Sequence, residues 1–243
     1  EKAFKVTGGV TLDTQYRMVE PIGNLVSECF YSDDIGKLHT GRGGSPDWFN
    51  LLPAPWDKPV TWVDSTSDSG ETELSKGRYV NRTEVENLMF LLRKLISDST
   101  LKNLRSTVTK EQPYPIGIIT MYRAQKDEIE MEISRTEWMG PLRSLIKIDT
   151  VDSYQGQENK IIILSLVRDN EGSIQGFLGD EPRINVAISR AQERLVILGA
   201  SRMWESNNND SALGSVQKFI TSNANEQPEN YQVISNLTIQ GGV

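Results

Sequence analysis

The spacing of apolar and polar residues divides the chain into strand-like and helix-like stretches that alternate. Pro21 stands where a first helical turn accepts proline, and Ile22, Leu25, Val26 and Cys29 recur at helical spacing, so a helix is expected just after Gln15–Met18. Residues 32–59 carry Gly36, Gly41, Gly43, Gly44, Pro46, Pro53, Pro55 and Pro59 and read as a long irregular surface loop. Trp48, Phe49, Leu51, Leu52 and Trp56 make that loop apolar enough to fold back on the body or to meet a partner. Val60–Val63 reads as a short strand. Asn81 is placed as a helix N-cap with Glu84 three residues on, and Val85, Leu88, Met89, Leu92, Leu95 and Ile96 form a stripe that carries the helix to about Ser97. Ile116–Ile119 is a strand closed by Thr120, followed by a charged helix from about Arg123 to Arg135. Ser144–Val151 offers another strand. Ile161–Val167 is a run apolar but for Ser165, led by three isoleucines, of the kind covered on both faces in a parallel sheet, and Arg183–Ala200 is a last helix-then-strand unit.

Strands alternating with helices imply right-handed crossovers and an α/β fold: a mostly parallel sheet with helices on both faces and ligands at the carboxyl ends of the strands. The 243 residues are expected to form one domain, with a core over about 11–202, the loop at 32–59 and a flexible tail over about 225–243. No internal repeat is visible, and only SNNND at 206–210 is compositionally odd.

Hydrophobic residues make up 37% and charged residues 24% of the chain, without an apolar run of membrane-spanning length or a leader-like start. A soluble, unsecreted protein of the cytoplasm, or of the nucleus in a eukaryote, is the expectation. One cysteine, Cys29, and one histidine, His39, leave no material for a disulfide framework or a metal cluster built from those residues, so no metal ligands are assigned; carboxylate-bound magnesium stays open. The net charge of −7 argues against a broad basic surface for nucleic acid. Contact with such a partner would be narrow, through backbone amides, hydroxyls and a few arginines.

Four segments place polar or charged residues at strand ends or helix starts: QYRM at Gln15–Met18, IITMYRAQ at Ile118–Gln125, DTVDSYQGQE at Asp149–Glu158 and NVAISRAQERL at Asn185–Leu195. On a helix over 183–194, Ile184, Ala187, Ile188 and Ala191 form a buried stripe, and Arg183, Arg190 and Arg194 project along one flank. A guanidinium so placed can share the charge of a transferring phosphoryl group, or can simply pair with Glu193 or a loop carboxylate. The ring of Tyr16 suits a base and the charged fork of Arg17 suits phosphate oxygens; the plainer alternative is a core tyrosine and a structural salt bridge. Gly156 permits close backbone approach at a turn, and Glu158 offers a carboxylate two residues later. Thr120, Tyr122, Asp149, Thr150, Asp152 and Ser153 sit at strand ends, where hydroxyls can donate to phosphodiester oxygens, although turn capping remains open for them.

In this order and spacing the four segments resemble the helicase motifs of the second RecA-like domain in superfamily 1B, in the branch of the nonsense-mediated-decay helicase. The resemblance covers about residues 11–202 and is supported by RYVNRTEVE at 78–86 and GFLGDEPRINVAISRA at 176–191. It implies a RecA-like P-loop-NTPase-type fold and the C-terminal motor domain of an ATP-dependent nucleic-acid helicase or translocase. By resemblance Arg190 is the arginine finger, Arg17 meets the phosphates, Tyr16 lies against adenine, Glu158 takes ribose hydroxyls, and Gln155 and Gly156 couple nucleotide to strand. Thr120, Tyr122, Thr150, Asp152 and Ser153 would line a track for single-stranded DNA or RNA.

The implied cofactors are ATP and Mg2+, held mainly by the first RecA-like domain of the same polypeptide, which is the other implied partner. No GxxxxGK[ST] loop occurs in the sequence, so the chain is expected to be a segment of a longer protein and to hydrolyse no ATP by itself. The rival from another class is a catalytically silent RecA-like nucleic-acid-binding or regulatory module, against which the intact Arg17, Glu158 and Arg190 speak. A Rossmann-type enzyme would also explain the sheet, but no GxGxxG follows a strand.

Overall fold

In the computed structural model, which describes residues 13–31, 37–154, 156–205 and 210–235, six strands share one sheet. They are β1 (Val60–Asp64), β2 (Ile116–Thr120), β3 (Ile146–Thr150), β4 (Asn159–Ser165), β5 (Ala191–Gly199) and β6 (Tyr231–Ser235). Their order across the sheet is β6, β1, β5, β4, β2, β3, and every neighbouring pair is parallel. The main helices are α1 (Glu20–Phe30), α2 (Arg82–Lys94), α3 (Asp98–Ser106), α4 (Arg123–Arg135), α5 (Glu181–Ile188) and α6 (Ala212–Glu226).

The period-2 geometry of the central strands explains the unbroken apolar runs Ile161–Leu164 and Leu195–Leu198 within them. Ile161 and Ile163 point into one core with Leu88 and Leu92 of α2 and Ile129 and Ile133 of α4. Ile162 and Leu164 point into the other with Ile22 and Leu25 of α1, Ile184 and Ile188 of α5 and Leu213 and Val216 of α6. Leu195 and Ile197 of β5 share this second core, and Val196 and Leu198 the first. Burial of each such side chain contributes about 1.5–3 kcal/mol, so helices on both faces, not hydrogen bonds alone, hold the sheet. This is the α/β architecture, a parallel sheet with helices on both faces, expected from the strand and helix pattern.

Local chemistry sets the helix limits. Asn81 caps α2 by accepting from Glu84 N at 3.2 Å, as its position predicts. The helix stops at Lys94, short of Ser97, because Ser97 caps a new helix by accepting from Thr100 N at 3.2 Å; α3 is an element the hydrophobic stripe does not reveal. The described part of the 32–59 loop folds back on the body: Phe49, Leu52 and Trp56 are buried, and Trp56 Nε1 donates to Leu91 O at 3.0 Å. Residues 32–36 lie outside the described residues, as does most of SNNND.

The expected flexible tail is corrected in its first half. The last helix, α6, runs to Glu226, and β6 pairs residue for residue with β1. Tyr231 anchors this edge: its ring is buried and its hydroxyl donates to Pro21 O at 2.9 Å. A five-residue edge strand gives too short a pattern to stand out. Residues 236–243 lie outside the described residues.

One buried acid has a measurable consequence. Glu84 turns away from its own cap to accept from Ser165 Oγ at 2.5 Å and Val167 N at 2.8 Å, and full burial pushes its pKa from 4.5 up to about 8. Because the folded-state value lies above the unfolded one, its contribution is complete below about pH 4.5 and is lost as pH rises toward 8. Stability is therefore expected to fall across this window by up to about 1.4 kcal/mol per pH unit from this group. Glu84→Gln should flatten that slope in urea titrations at several pH values; an unchanged slope would contradict the assignment.

Candidate functional site

The start of β4 lies beside the start of β5. Asn159 and Ala191 are register partners, and Asn159 N donates to Arg190 O at 3.1 Å, so Glu158 and Arg190 are neighbours on the amino rim of the sheet. Arg17 reaches the same rim from the QYRM turn. The Gln15 side chain shapes that turn: Oε1 accepts from Arg17 N at 2.9 Å and Met18 N at 2.7 Å, and Nε2 donates to Met18 O at 2.9 Å. Val19 N then donates to Gln192 O at 2.9 Å and ties the turn to β5.

The two guanidiniums converge around Glu158. Arg17 pairs through Nε with Glu158 Oε2 and donates from Nη1 to Ser189 O at 3.0 Å. Arg190 donates from Nε to Val186 O at 3.0 Å and from Nη1 to Gln157 O at 3.2 Å. In each case Nε and Nη1 fix the group, while Nη2 has no hydrogen-bond partner among the described residues. Burial lowers the Arg190 pKa, the charge of Arg17 lowers it further, and Glu158 opposes the shift. Two cations against one carboxylate leave a net positive wall with donors to spare. A third guanidinium, Arg42, donates to Arg17 O at 2.8 Å but is neutralised by Glu193 at 2.8 Å.

This placement corrects two expectations. Ligand groups were expected at the carboxyl ends of the strands, whereas Arg17, Glu158 and Arg190 sit at the amino ends. The helix expected over 183–194 ends at Ile188 with Ser189 as its C-cap, because the run from Ala191 to Gly199 joins the sheet. Arg190 therefore occupies the turn, and Arg194 leaves its flank altogether. Arg194 is fully buried on the opposite face, donating to Trp56 O at 2.7 Å, Ser45 Oγ at 3.0 Å and Asn50 Oδ1 at 3.1 Å, with its guanidinium over the Phe49 ring.

Tyr16 is 71% exposed. Its ring lies on Gly41, where an added Cβ would come within 2.5 Å of the ring and push it aside. Gly156 has φ of +82°, the left-handed conformation that its turn requires. Gln155 lies outside the described residues.

The opposite rim holds the other predicted residues. Thr150, at the end of β3, is half-buried, and Asp152 and Ser153 in the following turn are exposed. Asp152 pairs with Arg183 at 3.1 Å, and Arg183 lies over the exposed ring of Phe177. Thr120 and Tyr122 are instead interior: Thr120 is fully buried, and the Tyr122 ring packs against Tyr79 and Phe177 with 3% exposure. They support this rim from beneath and present no face to a ligand. The α5 helix starts at this rim beside Arg183 and ends beside Arg190, a strut of roughly 12 Å between the two groups of residues.

Two polar residues were not anticipated. Gln112 Nε2 and Gln192 Nε2 donate to Glu158 Oε1 at 2.7 and 2.8 Å. Gln192 lies inside the NVAISRAQERL segment and could have been found there; Gln112 lies in an irregular loop without any periodic or motif signal.

Comparison with known proteins adds independent weight. A family model described as an AAA domain matches residues 4–202. The chain belongs to the AAA domain family. Similar proteins include the Regulator of nonsense transcripts 1 homolog of Neurospora crassa, 31% identical over 193 residues, and Helicase SEN1 of Saccharomyces cerevisiae, 34% identical over 202 residues. These alignments cover 78% and 79% of this chain but 16% and 8% of the two relatives, so the AAA domain chain spans less than a fifth of either. The relatives fall in the branch that the four motifs resemble, and the chain is a helicase-family domain of that type. An alignment with the C-terminal domain of a possible DNA helicase from Lactobacillus plantarum WCFS1 covers 76% of this chain and 87% of that one, at 14% identity and a TM-score of 0.39.

Proposed function

We propose that the chain is the C-terminal motor half of an ATP-dependent nucleic-acid helicase or translocase, supplying two arginines to a nucleotide site shared with a first RecA-like domain of the same polypeptide. The observation that carries this is the matched pair of uncommitted Nη2 donors on Arg17 and Arg190, held on one net-positive wall. Donors fixed in advance on one wall suit an anion whose charge grows during reaction, since little reorganisation is needed at that moment. ATP supplies the phosphoryl chemistry and Mg2+ shares its charge when bound; the grip on both belongs to the partner domain. On this side Arg17 and Arg190 touch the phosphates, Tyr16 offers its exposed face to the base, and Glu158 accepts from the sugar.

The rim bearing Thr150, Asp152 and Ser153 is proposed as this domain's part of the track for single-stranded DNA or RNA, with hydroxyls rather than a basic patch meeting the backbone. A strut from Arg190 to Arg183 gives nucleotide-driven closure a rigid path to that rim. The silent-module alternative gains nothing from a wall whose spare donors have no partner among the described residues. Arg17→Ala in the complete polypeptide is expected to lower strand-stimulated ATP turnover about 100-fold, through loss of one charge-assisted contact and of the cation that balances Glu158. Turnover within about twofold of wild type would contradict the proposal.

A further inference from the structure

Glu158 is restrained by more donors than a sugar-binding carboxylate requires, and one of them comes from outside the four motif segments. Arg17 holds Oε2, while Gln112 at 2.7 Å and Gln192 at 2.8 Å both hold Oε1. A carboxylate has about four lone-pair positions, so about one remains, and the side chain is 29% exposed, within reach of a ligand. Gln112 is not a loose surface residue. Its carbonyl accepts from Thr109 N at 3.1 Å and its amide N–H donates to Thr109 Oγ1 at 3.0 Å, which closes a tight turn. Two residues on, Tyr114 O accepts from Asn159 Nδ2 at 2.5 Å, and the same Asn159 accepts from the buried Tyr154 hydroxyl at 2.9 Å through Oδ1. The loop is thus fastened to the first residue of β4, next to Glu158. Between loop and carboxylate lies an open cleft lined by Lys110, Gln112, Tyr114, Lys147 and Glu158.

We infer that Gln112 is a positioning residue of the nucleotide site: it fixes the Glu158 carboxylate so that Oε2 anchors Arg17 while one lone pair is kept for a sugar hydroxyl of a ribonucleoside triphosphate. This rests on the proposed role of Arg17, Glu158 and Arg190 as nucleotide contacts. Without Gln112, Oε1 keeps only Gln192, and the carboxylate can turn about its last dihedral. Arg17 retains Ser189 O and stays on the wall. The loss falls on ground-state binding more than on the chemical step, so KM rises and kcat changes little.

The test is strand-stimulated ATP hydrolysis by the complete polypeptide. Gln112→Ala is expected to raise KM for ATP about tenfold with kcat within about threefold, the loss of one hydrogen bond to a charged group being about 1.5 kcal/mol or more. Gln112→Glu should raise KM further, because it removes the donor and sets a second carboxylate against Glu158. In a Glu158→Ala background, Gln112→Ala should add less than twofold, which a general disturbance of the loop would not reproduce. If Gln112→Ala leaves KM unchanged while Glu158→Ala raises it, the inference about Gln112 fails and the site assignment stands. An equal rise in the Glu158→Ala background also overturns it. If Glu158→Ala and Arg17→Ala both leave ATP kinetics intact, the site assignment itself fails, and the inference with it.

Discussion

Arg190→Ala in the complete polypeptide is expected to lower strand-stimulated ATP turnover by a factor of about 10³ or more, the range found when a guanidinium that stabilises a transferring phosphoryl group is removed. The structure explains why the loss should be kinetic and not structural. Arg190 rests on two carbonyls at a half-buried turn, its charge is opposed by Arg17, and its removal deletes an unfavourable like-charge contact along with two charge-assisted hydrogen bonds. The folded state should change by less than about 1 kcal/mol. Arg190→Lys should recover little, because an ammonium cannot hold Val186 O and Gln157 O in one plane and still present a third donor. A kcat within about tenfold of wild type for Arg190→Ala would contradict the assignment.

Arg194→Ala is expected to do the reverse: about 3 kcal/mol or more of destabilisation, read from the urea midpoint, since the partners of a buried guanidinium lose their pairing together with its packing. The side chain is fully buried and satisfies Trp56 O, Ser45 and Asn50 while covering the Phe49 ring. Its removal strands a buried carbonyl and opens a cavity beneath the 37–59 segment. Burial lowers its pKa to about 10, which still leaves it charged at neutral pH. An Arg194→Ala protein as stable as Arg190→Ala would show that the two arginines are not divided between core and site in this way.

These two residues also mark where sequence reasoning reaches its limit. Four positions apart, they share a flank on any continuous helix, and nothing in NVAISRAQERL says that the helix ends after Ile188. The end is decided by tertiary structure: β5, nine residues long, pairs with β1 and β4 and takes Arg190 out of the helix. Where periodicity was long, the elements were legible, as with α4 and the apolar runs of β2 and β4. Where an element is short or set by a cap, as with β6 and α3, pattern alone did not reveal it. Arg17, Glu158 and Arg190 could be named from their motifs, yet their placement together on the amino rim could not. Thr120 and Tyr122 were legible as strand-end residues but not as buried ones, because burial of Tyr122 depends on Tyr79 and Phe177 arriving from distant segments.

The most direct measurement is a structure of the complete polypeptide bound to a single strand and ADP–aluminium fluoride, which mimics a phosphoryl group in transfer. Nη2 of both Arg17 and Arg190 should then lie about 3 Å from the fluoride ligands or the adjoining phosphate oxygens. A complex with the fluoride group in place but either guanidinium turned away from it, so that the anion is met by the first domain alone, would contradict the account.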